Sequence, residues 1–341
     1  MPEEAPEVNQ PVPPEFAQAL RELGLAGREE LRGVPLTGGV SSDIWRIDAL
    51  QGTVCAKRAL PQLRVAAEWR APIERNQYEA RWMQVAEAAV PGSAPRVLGQ
   101  HAALGVLVMS YLAPTHHRLW KEQLRQGLAE ITTAQAVGRM LVGIHRYSAA
   151  HVELARQFDT DRIFFDIRLE PYLIATALKH ADLAPALHAL VAQTQTHKHA
   201  LVHGDVSPKN ILVGASGPML LDAECAWWGD PAFDLAFCLN HLLLKCLWTP
   251  RAIAGLLGSF AALTEAYLEQ VDWEPRAAVE RRAAALLPGL FLARVDGKSP
   301  VEYLTSEAQR NKVRRTARAL LLRPVSQLVD VHAAWQWELD R

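Results

Sequence analysis

The sequence predicts an α+β chain of two lobes: a small antiparallel β lobe with one helix, then a large, mainly α lobe. Three observations carry that expectation. Residues 33–59 place Gly33, Gly38, Gly39 and Gly52 between short runs of strand formers. Beyond Pro114 almost everything reads as helix, apart from a strand–loop–strand island at 200–222. The 341 residues leave room for about two units at roughly 150 residues each.

The elements follow in order. Residues 1–14 belong to the stretch MPEEAPEVNQPVPPE. It is acidic and Pro-rich, with no basic or apolar signal region, and is expected to be a disordered tail. Residues 15–32 carry Phe16, Leu20, Leu23 and Leu25 partly on one helical face. Val34–Thr37, Asp43–Asp48 and Thr53–Ala59 read as three strands joined by tight turns. Pro72 can open a helix that runs to Ala89 and ends at Val90-Pro91-Gly92. Arg96–Gln100 and Gly105–Ser110 read as two more strands. The lobes are expected to join near 110–114, giving an N-lobe of 15–112 and a C-lobe of 113–341.

Composition excludes several classes. Lys plus Arg is 36 and Asp plus Glu 37, a net charge of -1. A nucleic-acid binder would normally be strongly basic. No apolar run reaches the 18 residues a membrane span needs. Cys55, Cys225, Cys238 and Cys246 form no C-x-x-C, so neither a metal framework nor a disulfide scaffold is expected. A reduced, cytoplasmic setting follows as the expectation. The apolar residues scattered through the helices give no reading of oligomeric state.

The chemistry concentrates in LVHGDVSPKNILV, from Leu201 to Val213. An apolar strand leads into His203-Gly204-Asp205. Asn210 follows five residues after Asp205, and Asp222 ends the next apolar run twelve residues later. Phosphoryl transfer needs Mg²⁺ to neutralise phosphates, a carboxylate to orient and deprotonate the attacking hydroxyl, and fixed geometry. Asp205 is placed as that base. Asn210 and Asp222 offer the hard oxygens Mg²⁺ prefers. An Asx-turn loop would explain Asp205 or Asn210 taken singly, but not the ordered set.

HGDVSPKNILV, LLDAE and GDPAFDLA (Gly229–Ala236) together resemble the aminoglycoside phosphotransferase superfamily. That group includes choline, homoserine and methylthioribose kinases and has a fold similar to protein kinases. The resemblance spans about residues 30–250 and implies ATP as donor, with Mg²⁺. Ser207 stands where the family usually has His. Within the resemblance, Gly38, Gly39, Ser41 and Ser42 of LTGGVSSDIW form a turn whose N–H groups could cradle phosphates. Lys57, in VCAKRAL, is placed to touch the α/β-phosphates, braced by a helix glutamate. Glu79 matches the family pattern best, with Glu74 as fallback. Ser110, Tyr111 and Leu112 resemble an adenine-binding hinge, and an ordinary buried strand explains them equally. Glu224 gives D-A-E with Asp222, as in methylthioribose kinases, which also resemble this chain at KRALPQLRVAAEW. Glu224 is either a third metal ligand or an exposed loop carboxylate. Asp230, Asp234 and His203 are expected to brace the catalytic loop, and His145 to pack.

No A-P-E follows GDPAFDLA, so a small-molecule hydroxyl is the expected acceptor rather than a protein. Residues 113–341 hold 25 Lys plus Arg and 24 Asp plus Glu, which offers a polycationic aminoglycoside no acidic excess. Trp227 and Trp228 either line the acceptor pocket or fill the core. Arg294 and Asp296, beside Lys298, either hold the acceptor's hydroxyls or carboxylate or form surface salt bridges. The expected activity is transfer of the ATP γ-phosphate to a sugar-like or other metabolite, as in methylthioribose kinases. Aminoglycoside 3'-type phosphorylation and a non-catalytic nucleotide-binding pseudokinase are the alternatives.

Overall fold

The computed structural model describes residues 9–36, 42–60 and 73–341. The N-lobe is a six-stranded antiparallel sheet, spatially ordered β1-β2-β3-β4-β6-β5. Its strands are β1 (Gln10–Pro11), β2 (Arg32–Pro35), β3 (Ser42–Ala49), β4 (Gly52–Ala59), β5 (Val97–His101) and β6 (Val106–Ser110). Helix α1 (Pro14–Glu22) covers one face and α2 (Arg75–Ala89) the other. The period-2 alternation of β6 shows the division. Val106 and Val108 join Phe16 and Leu20 of α1, while Leu107 and Met109 join Ala80, Trp82 and Met83 of α2.

Two expectations at the N-terminus are corrected. The helix expected over 15–32 ends at Glu22, because Gly24 turns left-handed (φ 70°) and Leu25 N–H reaches back to the Leu20 carbonyl at 2.8 Å. The expected tail of 1–14 is ordered where it is described. Gln10 pairs with Gly33, and Val12 N–H donates to Leu31 O at 3.0 Å. Burial of the Val12 side chain beside Phe16 and Leu31 gives those residues a reason to stay.

The C-lobe begins with β7 (Arg118–Leu119), α3 (Trp120–Arg125) and α4 (Ile131–Ala150). Then come α5 (Asp161–Phe164), a π-helical turn (Phe165–Ile174), α6 (Ala175–Lys179) and α7 (Ala184–Thr196). The strands β8 (Ala200–Val202), β9 (Ile211–Gly214), β10 (Gly217–Leu220) and β11 (Trp227–Gly229) carry the functional loops. They form two small sheets, β10-β9-β7 and β11-β8. Five helices complete the lobe: α8 (Ala232–Trp248), α9 (Ile253–Leu268), α10 (Arg276–Asp296), α11 (Glu307–Leu322) and α12 (Leu328–Leu339). Helix α8 is buried from Ala232 to Cys246 and packs against α9 and α10. Such a helix is mostly apolar on every side because no side meets water, and its buried polar exceptions are Asp234, Asn240, His241 and Lys245. One continuous core runs from α2 through α4 and α8 to α12, so α2 is anchored to both lobes.

All four cysteines are free thiols. Among the described residues no helix is long and apolar enough to cross a membrane.

Candidate active site

Between the lobes lies a cleft of about 650 Å³. Lys57, Glu79, Ser110, Tyr111, Leu112, Asp205, Asn210, Asp222, Glu224 and Arg294 all line it. Ser42 lines it too, buried, with its hydroxyl unpartnered. Gly38, Gly39 and Ser41 lie outside the described residues.

Strand β8 delivers the chain into the loop His203–Asn210. The N–H groups of His203 and Gly204 donate to the two oxygens of Asp234 at 2.7 and 2.8 Å. Asp234 sits in the first turn of α8, where a carboxylate also suits the helix dipole. Buried His145 joins Asp234 (3.2 Å) to the Tyr267 hydroxyl (2.7 Å), so it ties the loop to α4 and α9 as well as packing. His203 Nδ1 accepts Asp205 N–H at 3.1 Å, and its Nε2 donates to Leu221 O at 3.1 Å. Burial holds its pKa below the ordinary value despite nearby carboxylates, so the ring is the neutral tautomer these two bonds require. Its ring and that of Trp82 of α2 meet nearly at right angles, with centres 4.7 Å apart. Asp230 accepts Ala232 N–H at 3.0 Å and holds Arg282 at 2.8 Å.

Asp205 is 5% exposed, and its two oxygens differ. Oδ2 accepts from Arg168 Nη2 (3.0 Å), Lys209 Nζ (3.0 Å) and Asn210 Nδ2 (2.9 Å). Oδ1 takes no donor among the described residues. Burial opposes ionisation here, but Lys209 and Arg168 outweigh it and hold the carboxyl below its usual range. The result is a fixed carboxylate with one occupied oxygen and one left to the cleft. Sequence reasoning missed Arg168 and Lys209. Lys209 was visible as the cation just before Asn210, whereas Arg168 sits in a π-helical turn with no motif of its own.

On the opposite wall, Lys57 of β4 lies 2.9 Å from Glu79 of α2 and also bonds Asp222. Register fixes the lysine, since Lys57 pairs with Ile44 on one side and Leu107 on the other. One cation thus serves two carboxylates. Burial works against the Lys57 charge, but Asp222 and Glu79 together raise its pKa. Burial pushes Glu79 up to about 7 against the pull of Lys57. Asp222 is held well below the carboxylate range, with Lys57 and then Lys209 overcoming its burial. Asp222 also has a left-handed backbone (φ 66°), rare for a non-glycine residue and frequent at functional sites.

The oxygens facing this space suit a hard divalent cation. Asn210 Nδ2 is committed to Asp205, which leaves Oδ1 outward, and Asp222 Oδ2 takes no donor among the described residues. Leu221 N–H donates to Asn210 O at 2.9 Å and holds the two residues side by side. Glu224 reaches the cleft but is bonded to Arg75 Nε at 2.9 Å, a partner the sequence did not suggest.

Three acceptor-pocket candidates are corrected. Trp227 is buried, stacked on Phe164 with ring centres 4.2 Å apart, and donates its N–H to Asp161. Trp228, also buried, pairs with Leu201 between β11 and β8. Neither lines the cleft; a short strand buried on both faces turns both rings into core. Asp296 faces away as well, bonded to Arg314 (2.7 Å) and His180 (2.8 Å). The neighbouring Lys298 bonds Glu170 at 2.6 Å.

The sequence matches the phosphotransferase enzyme family over residues 32–252. The chain belongs to that family. The matched span contains Lys57, Glu79, Asp205, Asn210 and Asp222. Relatives of this chain include a methylthioribose kinase of Cronobacter sakazakii, 26% identical over 67% of this chain and 64% of its own length. A methylthioribose kinase of Yersinia pseudotuberculosis is 28% identical over 66% of this chain and 61% of its own. The match therefore spans less than two thirds of these relatives. Among solved structures, an amicoumacin kinase in complex with AMP-PNP and Ca²⁺ superposes with a TM-score of 0.57 at 13% identity, covering 93% of this chain and 96% of its own. A Plasmodium vivax ethanolamine kinase gives 0.55 at 12%, covering 91% and 87%. The fold is the protein-kinase-like fold of this family, as the motifs led one to expect.

Proposed function

We propose that the protein transfers the γ-phosphoryl group of ATP to a hydroxyl of a small, sugar-like or other metabolite, after the manner of methylthioribose kinases. The observation that carries this reading is Asp205, whose one unpartnered oxygen shares a cleft with the Lys57–Asp222 pair. The apolar side chains of Leu36, Ile44, Met109 and Leu212 line the same cleft and suit an adenine ring. Lys57 would hold the α/β-phosphates, kept in place by Glu79. Asn210 and Asp222, with Glu224 at the edge, would hold Mg²⁺, which neutralises phosphate charge when bound.

Asp205 Oδ1 would orient the acceptor hydroxyl. The acceptor oxygen forms a bond to the γ-phosphorus as the bridging P–O bond to ADP breaks. ADP leaves with that electron pair, and the hydroxyl proton passes to Oδ1. Asp205 is a weak base, so it takes the proton late and contributes chiefly by position. Lys209 and Arg168 keep it ionised. Lys209 is half exposed and can also face charge on the transferring group.

The test is a screen of MgATP-dependent transfer to methylthioribose, other pentoses, sugar acids, choline, homoserine and aminoglycosides. Transfer to at least one non-aminoglycoside hydroxyl is the expected result. Transfer to aminoglycosides alone would move the assignment to antibiotic phosphorylation. MgATP binding with no transfer to any acceptor would show a pseudokinase.

A further inference from the structure

Among the described residues, the acceptor end of the cleft holds one buried cation with no ion-pair partner. The charged residues lining that end are Lys121, Arg168, Lys209 and Arg294 against Glu122, Asp205 and Glu302. Six of the seven are paired. Arg168 and Lys209 hold Asp205, Lys121 meets Glu302 at 2.7 Å, and Glu122 meets Arg125 at 3.5 Å. Arg294 is the exception. It is only 9% exposed, yet no carboxylate lies within 4.0 Å of it among the described residues. Its Nη1 donates to the Tyr172 hydroxyl (3.1 Å), to Ser299 Oγ (2.9 Å) and to the Ser299 carbonyl. Its Nε is buried with no acceptor. Ser299 lines the cleft too.

A buried guanidinium without an anion is costly, and the cost is recovered only when an anion arrives. Glu302 feels the charge of Arg294 but is bonded to Lys121 instead. His241, which lines the cleft from α8, is pushed well below its ordinary pKa by burial and then by Arg294, Lys245, Lys209 and Lys121. Lys245, behind it, is also buried. Its ammonium lies over the rings of Trp248 (4.6 Å) and Tyr303 (4.7 Å), and burial, with Lys121 next, pushes it down to about 7. Four cations therefore act together on His241, and a polycation seated beside it would meet their repulsion.

Position links Arg294 to the reacting group. The guanidinium carbons of Arg168 and Arg294 lie 5.9 and 5.6 Å from the centre of the same Tyr172 ring. Arg168 is bonded to Asp205. The cation at the base and the cation without a partner therefore share one tyrosine ring. That spacing suits a short molecule with a hydroxyl at one end and an anion at the other.

We propose that the phosphate acceptor is a hydroxylated carboxylate, such as a sugar acid, whose carboxylate seats on Arg294 and Ser299 while its hydroxyl meets Asp205. A phosphate monoester would carry close to two charges, and Arg294 is the one unpaired charge among the described lining residues. A carboxylate fits that balance. This inference rests on the phosphotransferase reading above.

Matched acceptors separate the two. Transfer from MgATP is compared for gluconate and ribonate, for the neutral gluconamide and ribitol, and for ribose 5-phosphate. The carboxylates should exceed their neutral partners by at least about tenfold in kcat/KM, the value of one modest charge contact. Arg294→Gln should collapse that ratio, and Arg294→Lys should keep part of it. Equal use of neutral acceptors, preference for ribose 5-phosphate, or an unchanged ratio in Arg294→Gln would overturn the proposal while leaving the kinase intact. The wild-type comparison stands even if the variants fail to fold. If MgATP binds and nothing is phosphorylated, the proposed activity fails. The site is then read by thermal stabilisation of the wild type: gluconate above gluconamide supports it, and no difference overturns it.

Discussion

At the scale of single residues the site is an arrangement of shared charges. Three donors on one oxygen of Asp205 fix both its ionisation and its direction. Asp205→Asn keeps the size but cannot accept the hydroxyl proton. Transfer should fall by about 10²–10⁴-fold, the usual contribution of a general base. MgATP affinity should change little, because Lys57, Asn210 and Asp222 are untouched. Steady-state kinetics with equilibrium nucleotide binding measures both, and a variant with substantial activity would remove Asp205 from the role. The sequence made this residue legible because Asp205, Asn210 and Asp222 come from one short stretch with fixed spacing. Arg168 was not legible. Its contact with Asp205 spans 37 residues and depends on a π-helical turn, which leaves no periodic mark. Trp227 and Trp228 failed for the opposite reason: their proximity in sequence to Asp222 suggested the pocket, and strand pairing buried them.

At the scale of elements, the catalytic loop is held from three sides, by α8 through Asp234, by α2 through Trp82 on His203, and by the chain after Asp222. Gly204 shows how closely. Its φ is +80°, and a Cβ there would lie 2.8 Å from both Cys225 Cβ and the Cys225 carbonyl oxygen. Gly204→Ala should destabilise the protein by about 1–3 kcal/mol from backbone strain alone, with the collision added. Gly52→Ala is the control, since φ is +112° but nothing lies within 4 Å of the new Cβ. Urea unfolding should rank Gly204→Ala as the costlier change, and the reverse order would mean the loop yields to the methyl. The longer elements were readable because they run for at least five residues with clear ends. The strands β1, β7 and β11 have two or three residues and no alternation to read. They exist through their partners, and β11 exists because β8 needs one.

At the scale of the whole molecule, near-neutral charge conceals an uneven distribution. The paired carboxylates of the α lobe act as clamps, and Asp296 is an instructive one. It joins α10 to α11 through Arg314 and to the end of α6 through His180. Burial raises its pKa, but hydrogen bonds from Arg314 and His180 outweigh this and hold it below the ordinary aspartate value of 3.8. A folded pKa below the unfolded one means that the unfolded chain binds the extra proton. The contribution is therefore complete above pH 3.8 and is lost as pH falls through the folded value. Asp296→Asn should cost about 1.5–3 kcal/mol near pH 7, the range for hydrogen bonds to a charged group, and lower Tm by a few degrees. Below the folded pKa the wild type loses the same charge, so the two melting curves should converge there. The acceptor KM should stay the same, because Asp296 does not line the cleft. Arg294, two residues earlier on α10, should do the reverse and change acceptor preference. Thermal melts across pH 2–7 beside acceptor kinetics would separate the two. A raised acceptor KM in Asp296→Asn, with stability unchanged, would return Asp296 to the pocket.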